Sequence, residues 1–264
     1  MRKSGASMSS FTDDEVERYA RHLMLREVGG PGQQRLKTAS VLLVGAGGVG
    51  APAALYLAAA GVGRIGLLDP DTVALSNLQR QVLYGVDDLG ELKAERGAER
   101  LRALNPHVAV EALPLRLDDG NARELVRGYD LVLDGTDDFA TRFAVNAACV
   151  AEGRPLVSAA LGRWSGQLGV FAGRPCYRCL VPEIPPDAET CAAVGVIGAV
   201  AGVMGSMAAL ETIKVLSTAG EALTGRLFLY DGLAGTARTV GVSADPSCPV
   251  CGGKDCDEGA GDPA

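Results

Sequence analysis

The chain has 264 residues, with 25 Lys plus Arg against 32 Asp plus Glu and a net charge of −7. That length suits one α/β domain with additions, and an acidic balance with no basic block argues against a surface that tracks nucleic-acid phosphates. The opening MRKSGASMSSFTDDEVERYA has a basic start but no apolar core ahead of its acidic run, so it does not read as a secretory signal, and the cytoplasm is the expected compartment.

Residues 12–28 read as a helix, with Val16, Tyr19, Ala20 and Leu23 three to four apart, and GGPGQQ from Gly29 breaks the pattern. From Ala39 to Asp71 come an apolar strand, a glycine turn, an Ala-rich helix and a second apolar strand ending at Asp69, a βαβ unit that fixes a parallel sheet. From Leu89 an apolar stripe at Leu92, Ala98, Leu101 and Leu104 marks another helix, ended at Asn105-Pro106 because proline disfavours helix in the residue before it. Further strands are VAVEAL, YDLVLDGTD, PLVSAALGRWSGQLGVF and GRLFLYDGLAGTARTVGV. Between the last two, Ala192 to Leu210 carries no charge over nineteen residues, long enough to span a bilayer. Ala and Gly dominate it, however, so insertion is weak. The expectation is a buried helix and no membrane, with Gly198 and Gly202 letting another helix approach closely.

The glycine turn reads Gly45-x-Gly47-x-x-Gly50, with Asp69 nineteen residues after Gly50. Glycines let backbone approach phosphates at a helix N-terminus, and a carboxylate at the end of the next strand takes ribose hydroxyls. On this motif alone a nicotinamide-dependent oxidoreductase fits, as does a glycine turn that merely joins strand to helix. Just beyond stand Asn77, Arg80 and Lys93. An arginine fork and a lysine point charge suit a triphosphate under attack, although each alone also reads as a solvated surface group. Asp137 lies at the C-terminal end of a strand, where open α/β sheets place ligands, and there Mg²⁺ binding competes with helix capping; capping suits Asp138 better.

The motifs RYARHLML, GQQRL, VLLVGAGGVG, LLDPDTVALSNLQRQ, LKAE, NPHV, DLVLDGTDDFATR, CYRCL, TC, GVIG and ALETIK resemble, in order, the ThiF/MoeB family, the adenylyltransferases of ubiquitin-like sulphur carriers. The resemblance covers roughly residues 12–251. It implies a Rossmann-like α/β ATP-binding fold, with a mainly parallel sheet, C-terminal antiparallel strands and a zinc site of four cysteines. It implies ATP-dependent adenylation of the C-terminal glycine of a small carrier ending in Gly-Gly, which serves thiamine, molybdopterin, tRNA thiolation or secondary metabolism. Gly45, Gly47 and Gly50 match the ATP loop, Asp69 the ribose ligand, and Asn77, Arg80 and Lys93 the phosphate contacts. Asp137 matches the magnesium ligand, and Arg21 matches an arginine contributed to the other subunit's site, which implies a homodimer. Asp138 departs from the family's usual Asn.

Two residues separate Cys176 from Cys179, and two separate Cys248 from Cys251. Two such knuckles suit tetrahedral Zn²⁺, structural because four thiolates leave no position for water; disulfides compete, but a cytoplasmic chain keeps thiols reduced. Cys191 stands outside both knuckles, before the buried helix and after the proline-rich PEIPPDAE, where a helix dipole favours thiolate. A chemical role and a plain semi-buried thiol both fit it. Cys149 reads as core and Cys256 as an unpaired tail thiol. The expected organisation is a disordered stretch at 1–11, one adenylation domain at 12–252 and a disordered tail at 253–264. Longer relatives carry a sulphurtransferase domain after the second knuckle, so a separate sulphur donor, a cysteine desulfurase or a sulphurtransferase, is expected. A scaffold that has lost its chemistry, and a family member acting on a non-protein acid, are the remaining alternatives to the carrier enzyme and the oxidoreductase.

Overall fold

The computed structural model describes residues 11–184 and 195–252. Cys191, Cys256 and the stretches 1–10 and 253–264 lie outside them. Helix α1 (Asp13–Leu23) starts at a reciprocal cap, in which Thr12 Oγ1 accepts the Glu15 N–H and the Glu15 carboxylate accepts the Thr12 N–H.

It ends at Leu23, short of the expected 28, and GGPGQQ opens a second helix, α2 (Gly29–Thr38), instead of breaking the chain. Pro31 sits in the first turn, where its missing N–H leaves no helical bond unmade. Gln33 and Leu36 are fully buried, and Gln33 joins His22 Nδ1 to the Ala60 carbonyl. Burial of that face outweighs the poor helix propensity of the glycines.

The βαβ unit is β1 (Ser40–Val44), α3 (Gly50–Ala60) and β2 (Arg64–Leu68). There follow α4 (Lys93–Leu104), β3 (Ala109–Leu113), α5 (Ala122–Arg127), β4 (Leu131–Asp134) and α6 (Phe139–Glu152). The chain continues through β5 (Leu156–Leu161), β6 (Ser165–Phe171), the short α7 (Tyr177–Leu180), α8 (Gly198–Ser217), β7 (Arg226–Asp231) and β8 (Thr236–Gly241). One sheet results, ordered β3-β2-β1-β4-β5-β6-β7-β8, with β1 to β5 parallel and β5 to β8 antiparallel.

Helices cover both faces of the parallel half, so β1 is buried along its whole length instead of alternating. Val41 and Leu43 enter one core with Leu57, Ile65, Leu133 and Met204, while Leu42 and Val44 enter another with Val126, Val132, Val145 and Phe171.

Helix α8 is long and apolar enough to cross a membrane by length and composition. Here it packs on α3, β5 and β6, placing Ala201, Met204, Ala208 and Ala209 in the core. It runs from Gly198 to Ser217, later than the expected span. Its close approaches also differ from expectation. Among the described residues a Cβ at Gly202 would meet nothing within 4 Å, whereas one at Gly205 would lie 2.4 Å from Pro52 Cγ and the Val49 carbonyl. Gly205, with Gly198 against the Gln79 carbonyl, is what permits the contact.

The segment between β2 and α4 is anchored by Asp88, a buried carboxylate that accepts the Gly85 N–H at 2.8 Å, Arg96 Nε at 3.0 Å and Arg100 Nη2 at 2.8 Å. Burial disfavours its charge, yet these donors outweigh burial and hold its pKa below 3.8. Asp88→Ala is expected to lower unfolding stability by about 1–3 kcal/mol in urea titrations at neutral pH. Because the folded pKa is depressed, the loss should be full above the ordinary carboxylate value and shrink as pH falls through the folded one. A difference between wild type and variant that does not shrink in acid would contradict this assignment.

Candidate active site

The cleft opens at the carboxyl ends of β1, β2 and β4, where the strand order reverses, the ligand position of doubly wound sheets. Its volume is about 580 Å³, and Gly45, Gly47, Asp69, Asn77, Arg80, Lys93 and Asp137 all line it.

Two turn glycines are imposed by close packing. Gly45 has φ +87°, and a Cβ there would lie 3.1 Å from Thr136 Cγ2. A Cβ at Gly50 would lie 1.8 Å from the Gly45 carbonyl. Gly50 therefore does not line the cleft; it lets α3 start against the turn. Gly47 is the open position, with Gln81 Nε2 the one near atom among the described residues, 3.6 Å from where its Cβ would stand. Val49 caps α3 without a side-chain hydrogen bond, so the first amides of the helix have no side-chain cap.

Asp69 is buried at the end of β2, with Oδ2 accepting the Ala46 N–H at 2.8 Å and Oδ1 accepting the Asp71 N–H at 2.9 Å. Burial pushes its pKa up, and the nearby Lys93 charge offsets this only in part. Lys93 is itself buried, with Nζ 3.1 Å from Asp71 Oδ2 and 3.9 Å from Asp69 Oδ1. Arg80 reaches the Ser76 carbonyl from Nη1, and Asn77 Oδ1 accepts the Ala74 N–H.

The two consecutive carboxylates part company. Asp138 caps α6, with Oδ2 accepting both the Thr141 N–H at 2.9 Å and the Thr141 hydroxyl at 2.7 Å. Although burial raises it, these bonds hold its pKa below the usual value, so its charge is used within the helix start. Asp137 is exposed and lines the cleft.

Arg142 and Tyr177 line the cleft but were not singled out in the sequence, and neither was Asp134, which lies outside the cleft lining. Asp134, buried at the end of β4, accepts Thr136 Oγ1 at 2.6 Å and Ser158 Oγ at 3.0 Å. Arg142, also buried, donates from Nη2 to the carbonyls of Thr136 and Ala159. Tyr177 forms part of the wall. The available signal was an Arg and an Asn one turn apart, Arg142 and Asn146, on an otherwise apolar helix face. Arg21 is exposed on α1 and does not line the cleft of its own chain.

The Sγ atoms of Cys176, Cys179, Cys248 and Cys251 lie within 4.8 Å of one another, with Cys176–Cys248 at 3.6 Å and Cys179–Cys251 at 3.4 Å. These separations are far beyond a disulfide bond of about 2.05 Å. They approach the edge of about 3.8 Å expected for a tetrahedron with metal–sulphur bonds of about 2.3 Å. The donor set thus fits a tetrahedral, thiophilic ion with no open position. Cys149 is buried in the core, and burial pushes its thiol pKa up.

A family model described as ThiF family matches residues 19–250. The chain belongs to the ThiF family. The sulfur carrier protein adenylyltransferase of Thermus thermophilus is 49% identical to this ThiF-family chain over 251 residues, covering 92% of it and 93% of the relative. Adenylyltransferase and sulfurtransferase MOCS3 of mouse is 49% identical over 253 residues, covering 94% of this chain and 55% of the mouse protein. Among solved structures, MccB of E. coli with MccA-N7isoAsn superposes with a TM-score of 0.81 at 23% identity, covering 93% of this chain and 76% of MccB, a likeness of fold.

Purified protein is expected to carry about one zinc per chain. Cys248→Ser should lose that metal and lower the melting temperature, because metal binding is coupled to folding. Metal-free wild type of undiminished melting temperature would contradict the four-thiolate site.

Proposed function

We propose that this chain is an adenylyltransferase that uses ATP to activate the C-terminal glycine carboxylate of a small ubiquitin-like sulphur carrier. The observation that carries the reading is the convergence of the glycine turn, Asp69, Asn77, Arg80, Lys93 and Asp137 on one cleft. A nicotinamide oxidoreductase needs only the turn and Asp69 and leaves the cations, Asp137 and the cysteine cluster without a role.

In this reading the α3 N-terminus and Gly47 receive phosphate oxygens and Asp69 takes the ribose hydroxyls. Arg80, Asn77 and Lys93 hold the phosphates, with Lys93 exchanging its Asp71 partner for them. A carboxylate oxygen of the carrier attacks the α-phosphorus, and the bond from that phosphorus to the bridging oxygen breaks. Acyl-adenylate and pyrophosphate result. No general base is needed, since a carboxylate is ionised near neutrality. The cations are placed where charge develops on the leaving pyrophosphate, and the rest of the acceleration comes from orientation. Asp137 would hold Mg²⁺, which supplies further neutralisation of the phosphates.

The carrier's tail is assigned to a groove of about 650 Å³ over β5 to β8, lined by Leu229, Tyr230 and Arg238, which shares Phe139, Ala160, Leu161 and Gln167 with the nucleotide cleft. Arg21, exposed and outside its own cleft, is assigned to the cleft of a second copy in a homodimer. Zinc is assigned to the four cysteines, residues 12–252 to one adenylation domain and the chain to the cytoplasm, which suits free thiols. Sulphur would come from a separate donor, a cysteine desulfurase or sulphurtransferase. The relative matched nearly end to end is named for adenylyl transfer alone, and the one matched over about half its length is named for both activities.

Incubation with ATP, Mg²⁺ and a carrier ending in Gly-Gly should give, by mass spectrometry, a carrier bearing one adenylyl group. Arg80→Ala should reduce its formation by at least about 10²-fold with the fold intact. An unmodified carrier beside an adenylated small carboxylic acid would move the reading to a non-protein substrate. Normal turnover by Arg80→Ala would remove that residue from the site.

A further inference from the structure

The four-cysteine cluster and the nucleotide cleft share a wall. Tyr177 stands between Cys176 and Cys179, is almost fully buried, and lines the cleft. Its ring is fixed by Phe171, with centroids 5.7 Å apart, and by Phe143 at 6.2 Å. Two residues one turn apart on α6 grip it. Asn146 Oδ1 accepts the Tyr177 N–H at 2.8 Å, and Asn146 Nδ2 stands 3.6 Å from Cys176 Sγ. Arg142 Nη1 reaches Tyr177 Oη at 3.5 Å, while Nη2 holds the carbonyls of Thr136 and Ala159.

The guanidinium is therefore tied at once to the metal knuckle, to the turn that presents Asp137, and to Ala159 within β5. A buried guanidinium is expensive unless its donors are met. Here it stays charged: burial opposes the charge, and the Asp134 carboxylate, Tyr177 and Asp137 together outweigh it. A charge retained at that cost, with each contact on a different wall of one cleft, does more than join α6 to the sheet.

We propose that Arg142 is a positioning residue through which the four-cysteine cluster sets the geometry of the nucleotide cleft. It follows that loading of the cluster and binding of ATP are linked. Linkage is reciprocal, so each must strengthen the other by the same factor. The proposal rests on the reading that this cleft binds ATP.

The test titrates ATP with Mg²⁺ by calorimetry into zinc-loaded and chelator-stripped protein, for wild type and for Tyr177→Phe, with circular dichroism reporting the fold. Zinc affinity is measured separately by chelator competition with and without ATP. Stripping wild type should raise the ATP Kd by at least about fivefold, and ATP should tighten zinc by the same factor. Zinc-loaded Tyr177→Phe should melt with wild type yet bind ATP as weakly as stripped wild type, and stripping it should add nothing. The variant arm stands even where stripping unfolds the chain, since it reads folded, loaded protein. Loaded Tyr177→Phe with wild-type melting and wild-type ATP affinity would overturn the proposal, as would a stripped, folded wild type that binds ATP normally. Loaded wild type that binds no ATP would overturn the adenylation reading, and this one with it.

Discussion

The site depends on how closely the turn after β1 packs against the turn after β4. The Gly45 N–H donates to the Leu68 carbonyl at 2.8 Å and the Gly135 N–H to the Val44 carbonyl at 3.0 Å, which continues the parallel ladder past the strand ends. In that space neither Gly45 nor Gly50 has room for a side chain. The start of α3, the Asp69 carboxylate just beyond β2 and the Asp137 turn are thereby brought around one opening. Methyl groups at those two positions would move the walls of the cleft before they touched any ligand.

Around that scaffold the charges are arranged with little slack. Lys93 is nearly buried between Asp69 and Asp71, and Arg142 is buried beside Asp134. Buried cations persist when paired. Pairing leaves Lys93 held by carboxylates that a phosphate group can replace. Arg80, half-buried and, among the described residues, hydrogen-bonded through the Ser76 carbonyl, is freer to turn toward a ligand. Asp138 shows the opposite fate. Its Oδ2 is held by Thr141 at the start of α6, so the acid at that position serves as a helix cap.

Much of this was legible in the sequence, for identifiable reasons. An apolar run, a glycine turn and a second apolar run specify a βαβ unit by local pattern alone, and paired cysteines two residues apart signal a metal knuckle through spacing alone. Helix α2 was not legible, because its glycines and proline carry the signature of a loop, and only burial of Gln33 and Leu36 against distant elements makes it a helix. The close contact of α8 at Gly205 was hidden within a run of small residues that sets no register, although Gly198 was singled out. Arg142 was missed because an arginine in a helix ordinarily faces water. Its meaning comes from Thr136, Ala159 and Tyr177, which three separate elements deliver.

The central claim is that this cleft joins ATP to a carrier carboxylate. The most direct measurement is ATP–pyrophosphate exchange with carriers ending in Gly-Gly, each tested intact and without its last glycine. Exchange that requires the intact terminus is the result this account predicts, because only the full-length tail reaches far enough to place its ionised carboxylate at the α-phosphorus. Exchange equally fast with the truncated carrier, or none with any carrier although ATP binds, would contradict it.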